Sequence, residues 1–265
     1  GLKEEYRLAN NKDLKNSLRR FATIDSKNLL NFSKKILTSS IEDLSLSPKE
    51  EKMLAIFHYT IWGDKPSLSF RESLRTLKCD NSDLVGELLE LIEYNKRNIK
   101  IIEEEYDKEI PLDIHATYTL DQILAAFGKH TEKKKTSFRE GVLYIKELNT
   151  DLLFITINKS EEDYLVSTMY NDYSINRNLF NWESQSTTGI NTPTGQRYIS
   201  KDKGHKVLLF VRENKKLYNN AAPYVFLGNA RYISHKGDRP IEIIWKMDKP
   251  IPEKILNESN LRAVR

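Results

Sequence analysis

The 265-residue sequence has a single cysteine, Cys79, so no disulfide can form within it and an all-cysteine metal site is excluded. That usage fits a reducing compartment, and a cytoplasmic location is expected. No run of 18 apolar residues occurs, which leaves no membrane-spanning helix. The opening GLKEEYRLAN has no apolar signal region. It begins with Gly rather than Met and reads as a piece of a longer protein. The 10 glycines are scattered. They build neither a Gly-x-x-x-x-Gly-Lys phosphate loop nor a Gly-x-Gly-x-x-Gly run. The five histidines, His58, His115, His130, His205 and His235, stand apart from one another and from other ligand types at metal-binding spacing. A Gly-x-Ser-x-Gly elbow is missing, and runs such as EEEYDKE read as a solvated face. The residues therefore predict no catalytic site, no metal and no cofactor.

What is present is globular: 30% charged and 39% hydrophobic residues, with a formal net charge of +4. That charge is uneven. Residues 1–110 carry 19 Lys and Arg against 20 Asp and Glu, whereas residues 111–265 carry 23 against 18 and nine of the 13 tyrosines. A basic, tyrosine-rich half suits a polyanion surface, although tyrosines are also ordinary sheet residues.

The apolar period divides the chain in the same place. NLLNFSKKIL spaces its apolar residues in threes and fours. SPKEEKMLAIFHYTIW opens with Ser47 as cap, Pro48 at the first helical position and Glu50 closing a capping box. A long amphipathic helix is expected from Asn81 or Ser82 onward, with Leu84, Leu88, Leu91, Ile92 and Ile99 on one side. Past Pro111, YTLDQILAAFG predicts one more helix, capped by Thr119 and ended by Gly128. The basic loop KHTEKKKTS is expected to be disordered at its tip. Beyond it the period changes to two. GVLYIKEL and DLLFITINK predict two strands in a nearly direct hairpin through Asn149 and Thr150, KVLLFVREN, YVFLGNARYISH and IEIIWKMD three more, and MYNDYSIN and LFNWESQS two weaker ones. Without helices between the strands, a doubly wound parallel sheet is disfavoured. The expectation is an α+β chain: a helical segment over 1–110, then a curved, mostly antiparallel sheet or partly closed barrel over 111–265.

One long polar stretch, YNDYSINRNLFNWESQSTTGINTPTGQRYIS, interleaves rings with Asn, Asp, Ser, Thr and Gln. A flipped base is held by that mixture, with rings on its faces and short polar groups at its edge. The bland alternative is a structured loop whose aromatics plug the open end of the barrel. On a strand, Phe180, Trp182, Ser184 and Ser186 would share one face, and Asn181, Glu183, Gln185 and Thr187 the other. Either the aromatic–serine face lines a pocket, or it packs the core and the carboxylate–amide face reads DNA. Lys133, Lys134, Lys135, Arg177, Arg197, Lys201 and Lys203 are candidates to meet phosphates.

The stretches REGVLYIKELNTDLLFITINKSE, DYSINRNLFNWESQSTT, TPTGQRYI, VLLFVRE and PYVFLGNARYISHKGDRPIEIIWKM together resemble the C-terminal domain of unknown function found behind bacterial superfamily II helicases. The wording is similar to the C-terminal region of staphylococcal type IV restriction enzymes, from about Pro111 to Pro250. Those enzymes cleave DNA carrying 5-methylcytosine or 5-hydroxymethylcytosine and join a nuclease domain and an ATP-dependent motor to this region. The resemblance implies a fold like the SET- and RING-associated (SRA-like) domains. It implies double-stranded DNA with a modified cytosine as partner, upstream helicase-like and nuclease domains of the same chain, and residues 1–110 as a coupling segment. It implies neither DNA cleavage nor ATP hydrolysis by these residues, with ATP and Mg expected only for the full-length enzyme. By residue type, Tyr170, Tyr173 and Trp182 would stack on the base. Asp172, with Glu183 second, would take the cytosine amino group; Ser184, Ser186 or Thr187 would line the methyl side; and Gln185 would fill the hole left in the duplex. A structural module coupling helicase and nuclease domains is the alternative.

Overall fold

A computed structural model describes residues 11–99, 104–158, 172–199, 204–218 and 220–257. Tyr170, Lys201 and Lys203 lie outside the described residues. The chain divides into two compact units, Gly1–Phe138 and Arg139–Arg265. Among the described residues no helix is long and apolar enough to cross a membrane.

The first unit is helical: α1 (Asn11–Ala22), α2 (Lys27–Thr38), α3 (Pro48–Trp62), α4 (Phe70–Asp80), α5 (Ser82–Asn98) and α6 (Leu120–Ala126). Sequence alone places several of these ends. Ser47 and Glu50 form the reciprocal capping box of α3, and Thr119 and Gln122 that of α6. Gly63 ends α3 in the left-handed region at φ 72°, where only glycine avoids a Cβ clash. Helix α3 is buried continuously from Met53 to Ile61 and packs against α1, α2, α4 and α6. Its last carbonyls are satisfied from α1. Ser17 Oγ donates to the Ile61 carbonyl at 2.6 Å, and Arg20 donates to the Thr60 and Ile61 carbonyls at 2.6 and 2.5 Å. Helix α6 lies past Pro111 in sequence yet folds within this unit, where Gln122 Nε2 donates to Thr60 Oγ1 at 2.9 Å. The basic loop after it is a hydrogen-bonded turn, contrary to the expectation of a disordered tip. Thr131 N donates to the Lys134 carbonyl at 2.8 Å, and Thr131 Oγ1 accepts from Lys133 and Lys134 N–H. Short side-chain-to-backbone bonds of this kind order a polar turn without apolar burial.

The second unit is a mixed sheet of β1 (Val142–Ile145), β2 (Thr150–Asn158), β3 (Tyr173–Ser174), β4 (Leu179–Glu183), β5 (Lys206–Asn214), β6 (Tyr224–Lys236) and β7 (Glu242–Met247). Their order is β1-β2-β5-β6-β7-β4-β3, and every neighbouring pair is antiparallel except β2 with β5. The architecture is thus α+β, with helices first and a mostly antiparallel sheet after them. The hairpin expected between β1 and β2 is not direct: a 3-10 turn at Lys146–Leu148 intervenes, and Asn149 takes φ 47°. Asn tolerates that conformation better than most residues, so the chain reverses there without glycine.

Both faces of the central strands are apolar. One carries Leu153, Ile155, Val207, Leu209, Phe180, Trp182, Ile243 and Trp245, against Tyr198 of α7 (Pro193–Ile199) and Ile251 and Ile255. The other carries a stack across three strands. Phe154 and Phe210 lie 5.4 Å apart at 18°, and Phe210 and Phe226 4.7 Å apart at 15°. Each such ring pair adds roughly 0.5–1.5 kcal/mol beyond its burial. Two register shifts break the long β6 ladder, at Leu227–Gly228 and at Ile233. Gly228 sits at φ 85°, the backbone a bulge needs.

Candidate nucleic-acid interface

The polar stretch after Leu179 is positioned by β4, which pairs with β7 on one side and β3 on the other. Phe180 lies opposite Trp245 and Trp182 opposite Ile243, so both rings point to the core. Trp182 is 4% exposed, edge-on to Tyr198 at 5.3 Å and tilted against Trp245 at 6.4 Å. With these neighbours in place it is a core side chain and presents no ring face to a base. The opposite face has Asn181 buried and Tyr173, Glu183, Glu242 and Ile244 half-buried. Of the two arrangements open in the sequence, the aromatic face packs the core.

Ladder pairing ends at Glu183. Ser184 N donates to the Ile241 carbonyl at 2.9 Å, and Ser184 Oγ accepts from Ile241 N at 2.9 Å. Ser184 is fully buried and joins the two strands where the ladder stops. Its hydroxyl therefore serves the backbone. The chain then turns, with Thr188 N donating to the Gln185 carbonyl at 2.8 Å. This leaves Ser186 and Thr187 exposed and Gln185 half-exposed. Asp172 is buried, and its Oδ1 accepts from Glu183 N at 3.0 Å. The carboxylate thereby fixes the strand end that carries Glu183.

Beside Glu183 runs a cross-strand row of charge: Glu183 is paired with Glu242, and Glu242 with Lys236. Lys236 Nζ lies 2.9 Å from Glu242 Oε2, and that hydrogen bond and charge raise the Lys236 pKa. Two like charges directly opposite on a sheet repel, and the Lys236–Glu242 ion pair lies beside them.

The loop after the turn folds back onto the β6–β7 tip. Asp238 Oδ1 accepts from Ile190 N at 2.7 Å, and Gln196 Nε2 donates to the Ile190 carbonyl at 2.6 Å. Thr192 caps α7, with Pro193 in the first turn and Gly195 N bonded to Thr192 Oγ1 at 3.0 Å. Gly195 permits a close approach: a Cβ there would lie 2.0 Å from the Gly189 carbonyl oxygen. Gly195→Ala is expected to cost about 1–3 kcal/mol through overpacking, because backbone rather than a side chain must move. Lower thermal stability with unchanged secondary structure would be the signature, read by circular dichroism melts.

The other candidates are placed as follows. Arg197 lies in α7 with its guanidinium 3.9 Å from the Tyr144 ring centroid, and it makes two hydrogen bonds to Asp151 at 2.6 and 3.0 Å. Burial lowers its pKa, and the Asp151 hydrogen bond and charge outweigh that and hold it raised. It is committed to an internal ion pair instead of a phosphate. His205 Nε2 reaches the same carboxylate at 2.8 Å. Asp151 is completely buried and was not singled out from sequence, although a lone acid beginning an apolar strand was the available signal. Arg177 is exposed and paired with Glu253 at 2.7 Å. Lys133, Lys134 and Lys135 belong to the first unit, where Lys135 lies 3.4 Å from Asp121. Among the described residues no group of three or more His, Cys, Asp or Glu is arranged to hold a metal ion.

Among solved structures, Arabidopsis thaliana SUVH6 in complex with SAM is similar over 94% of this chain, at 15% identity and a TM-score of 0.33. The chain covers 43% of that one, and a likeness of this degree assigns it no ligand. Among curated proteins no sequence matches. Residues 112–258, more than half of the sequence, match the family described as Domain of unknown function (DUF3427). The chain belongs to the DUF3427 family, whose match spans β1 to β7 and the polar edge around Glu183.

Proposed function

We propose that this chain is the DNA-recognition module of a modification-dependent restriction system, binding 5-methylcytosine or 5-hydroxymethylcytosine flipped from a duplex. The observation that carries the reading is the carboxylate edge of β4: half-buried Glu183 on a backbone fixed by buried Asp172, with Tyr173 on the adjacent strand and a polar turn at Gln185–Thr187. Cytosine offers an amino donor that a carboxylate accepts, and half-buried Glu183 is better presented for this than Asp172, which is buried beneath the strand end. Tyr173 supplies one ring face. Gln185, half-exposed at the turn, would enter the duplex. The sequence resemblance to the regions behind helicase motors supports the same assignment. It puts cleavage and ATP-driven steps in other domains of a longer protein.

The test is binding of matched duplexes that differ only in the 5-methyl group, at fixed salt. A methyl contributes about 0.8 kcal/mol on burial, so a preference of roughly fourfold is expected. Equal affinity for both duplexes defeats modified-base reading and leaves general DNA binding standing. Glu183→Gln is expected to weaken both duplexes about tenfold by removing a charge-assisted bond, with the fold intact.

A further inference from the structure

At the far end of β6 from Glu183 the chain forms a small separate ribbon. Lys216–Leu217 pairs antiparallel with Asn220–Ala221. Its root is firmly held. Arg212 donates to the Ala222 carbonyl at 3.2 Å and to Thr156 Oγ1 at 2.9 Å, with its guanidinium 4.5 Å from the Tyr224 ring centroid. Ala222 N donates to the Lys215 carbonyl at 3.0 Å. The tip is the reverse of a core. Tyr218 is 89% exposed and Leu217 48%, directly after Lys215 and Lys216.

Tyr218 also sits at φ 48°, in the left-handed region. A tight two-residue hairpin loop favours Asn or Gly in that conformation, and an aromatic side chain gains nothing there from packing. The Tyr218 carbonyl accepts from Asn220 Nδ2 at 2.9 Å and so serves the turn, but the exposed ring adds no packing there, and a solvent-facing aromatic in a strained backbone position finds its use outside the fold. An exposed ring beside two lysines on a fixed stalk matches a polyanion with planar faces. We infer that the Lys215–Tyr218 ribbon is a second DNA contact, in which Tyr218 stacks on an unpaired base while Lys215 and Lys216 meet flanking phosphates. Stacking of this kind tolerates any base sequence, so the contact adds affinity without reading the modification. It rests on the reading that the protein binds DNA, and it is independent of the Glu183 edge.

The experiment compares wild type, Tyr218→Asn and Tyr218→Phe for binding to a short labelled single strand and to the duplex with and without 5-methylcytosine. Tyr218→Asn suits the turn better than tyrosine, so its melting temperature is expected to equal or exceed that of wild type. Its affinity for the single strand is expected to fall about tenfold, with the methyl preference unchanged. Tyr218→Phe keeps the ring and is expected to keep the affinity. If Tyr218→Asn binds within twofold of wild type, or if Phe loses as much as Asn, the inference is overturned while DNA binding stands. If wild type binds no DNA, the parent reading fails instead. If Tyr218→Asn binds DNA normally but loses binding to phosphatidylserine vesicles, the ribbon belongs to a lipid surface and the inference is likewise overturned.

Discussion

Replacing Asp151 with alanine is expected to lower the stability of the sheet unit by about 3–5 kcal/mol, the usual cost of removing one partner of a buried ion pair. The geometry explains the size. Asp151 has no exposed surface, and its two oxygens accept from Arg197 Nε and Nη2 and from His205 Nε2. Alanine leaves the Arg197 guanidinium, whose side chain is 20% exposed, held over Tyr144 with no counter-charge. It also leaves the His205 N–H without its acceptor. The carboxylate joins β2 to α7 and the start of β5, about 50 residues on in sequence, so its loss loosens all three. Urea unfolding should show a lower midpoint with an unchanged slope. The double change Asp151→Leu with Arg197→Met should recover much of the loss, because apolar groups of similar size impose no desolvation penalty. If Asp151→Ala unfolds at the wild-type midpoint, the ion pair contributes nothing to the fold. In that case Arg197 becomes available again as a phosphate contact.

Arg197 also shows where reading the sequence stops. An arginine in TPTGQRYI beside a lysine-rich run looks like a phosphate ligand, because residue type and local charge are all that sequence offers. Its partner lies 46 residues earlier, and only the parallel pairing of β2 with β5 brings the segments together. Two helix starts were legible, since Ser47 with Glu50 and Thr119 with Gln122 state them chemically, whereas α1 and α4 were not singled out. The long strands were legible from period two. LFNWESQS was legible in part: alternation sorted its residues into two faces but not into inside and outside. That choice depends on Tyr198 and Trp245, which cover Trp182 from other elements. Ser184 shows a related limit. Continued alternation would line it up with Trp182 as pocket wall, yet the strand ends at Glu183, and the hydroxyl bonds the Ile241 backbone. Tyr218 carried no periodic signal and stood out only once its exposure and φ were known.

Acidification is expected to destabilise the helical unit above the ordinary carboxylate range, and His58 is the cause. Its ring is buried among Phe70, Tyr59 and Trp62, with Nδ1 2.7 Å from Ser73 Oγ and Nε2 2.8 Å from the Asp64 carbonyl. Burial pushes its pKa from 6.5 down to about 4, against smaller opposing contributions from the Asp64 carbonyl and charge. The sign follows from proton uptake. Between those two values the unfolded chain holds a proton that the folded protein does not, so stability falls as pH falls. The contribution of His58 is fully present above about pH 6.5. It declines by about 1.4 kcal/mol per pH unit below that, for a loss of about 3 kcal/mol by pH 4. Asp121 and Glu50, whose pKa values are lowered, add their own losses only below the ordinary carboxylate range. Asp25, whose pKa is raised by burial, works in the opposite sense, since the folded protein then takes up its proton earlier than the unfolded chain. The loss due to His58 between pH 6.5 and pH 5 is about 2 kcal/mol. His58→Gln keeps a donor for the Asp64 carbonyl but cannot titrate. It should be less stable than wild type at neutral pH, yet nearly flat across that window. Urea midpoints of both proteins at several pH values read the difference directly. Parallel wild-type and His58→Gln curves would show that the His58 ring has the same pKa folded and unfolded, its charged form being accommodated in the helical core.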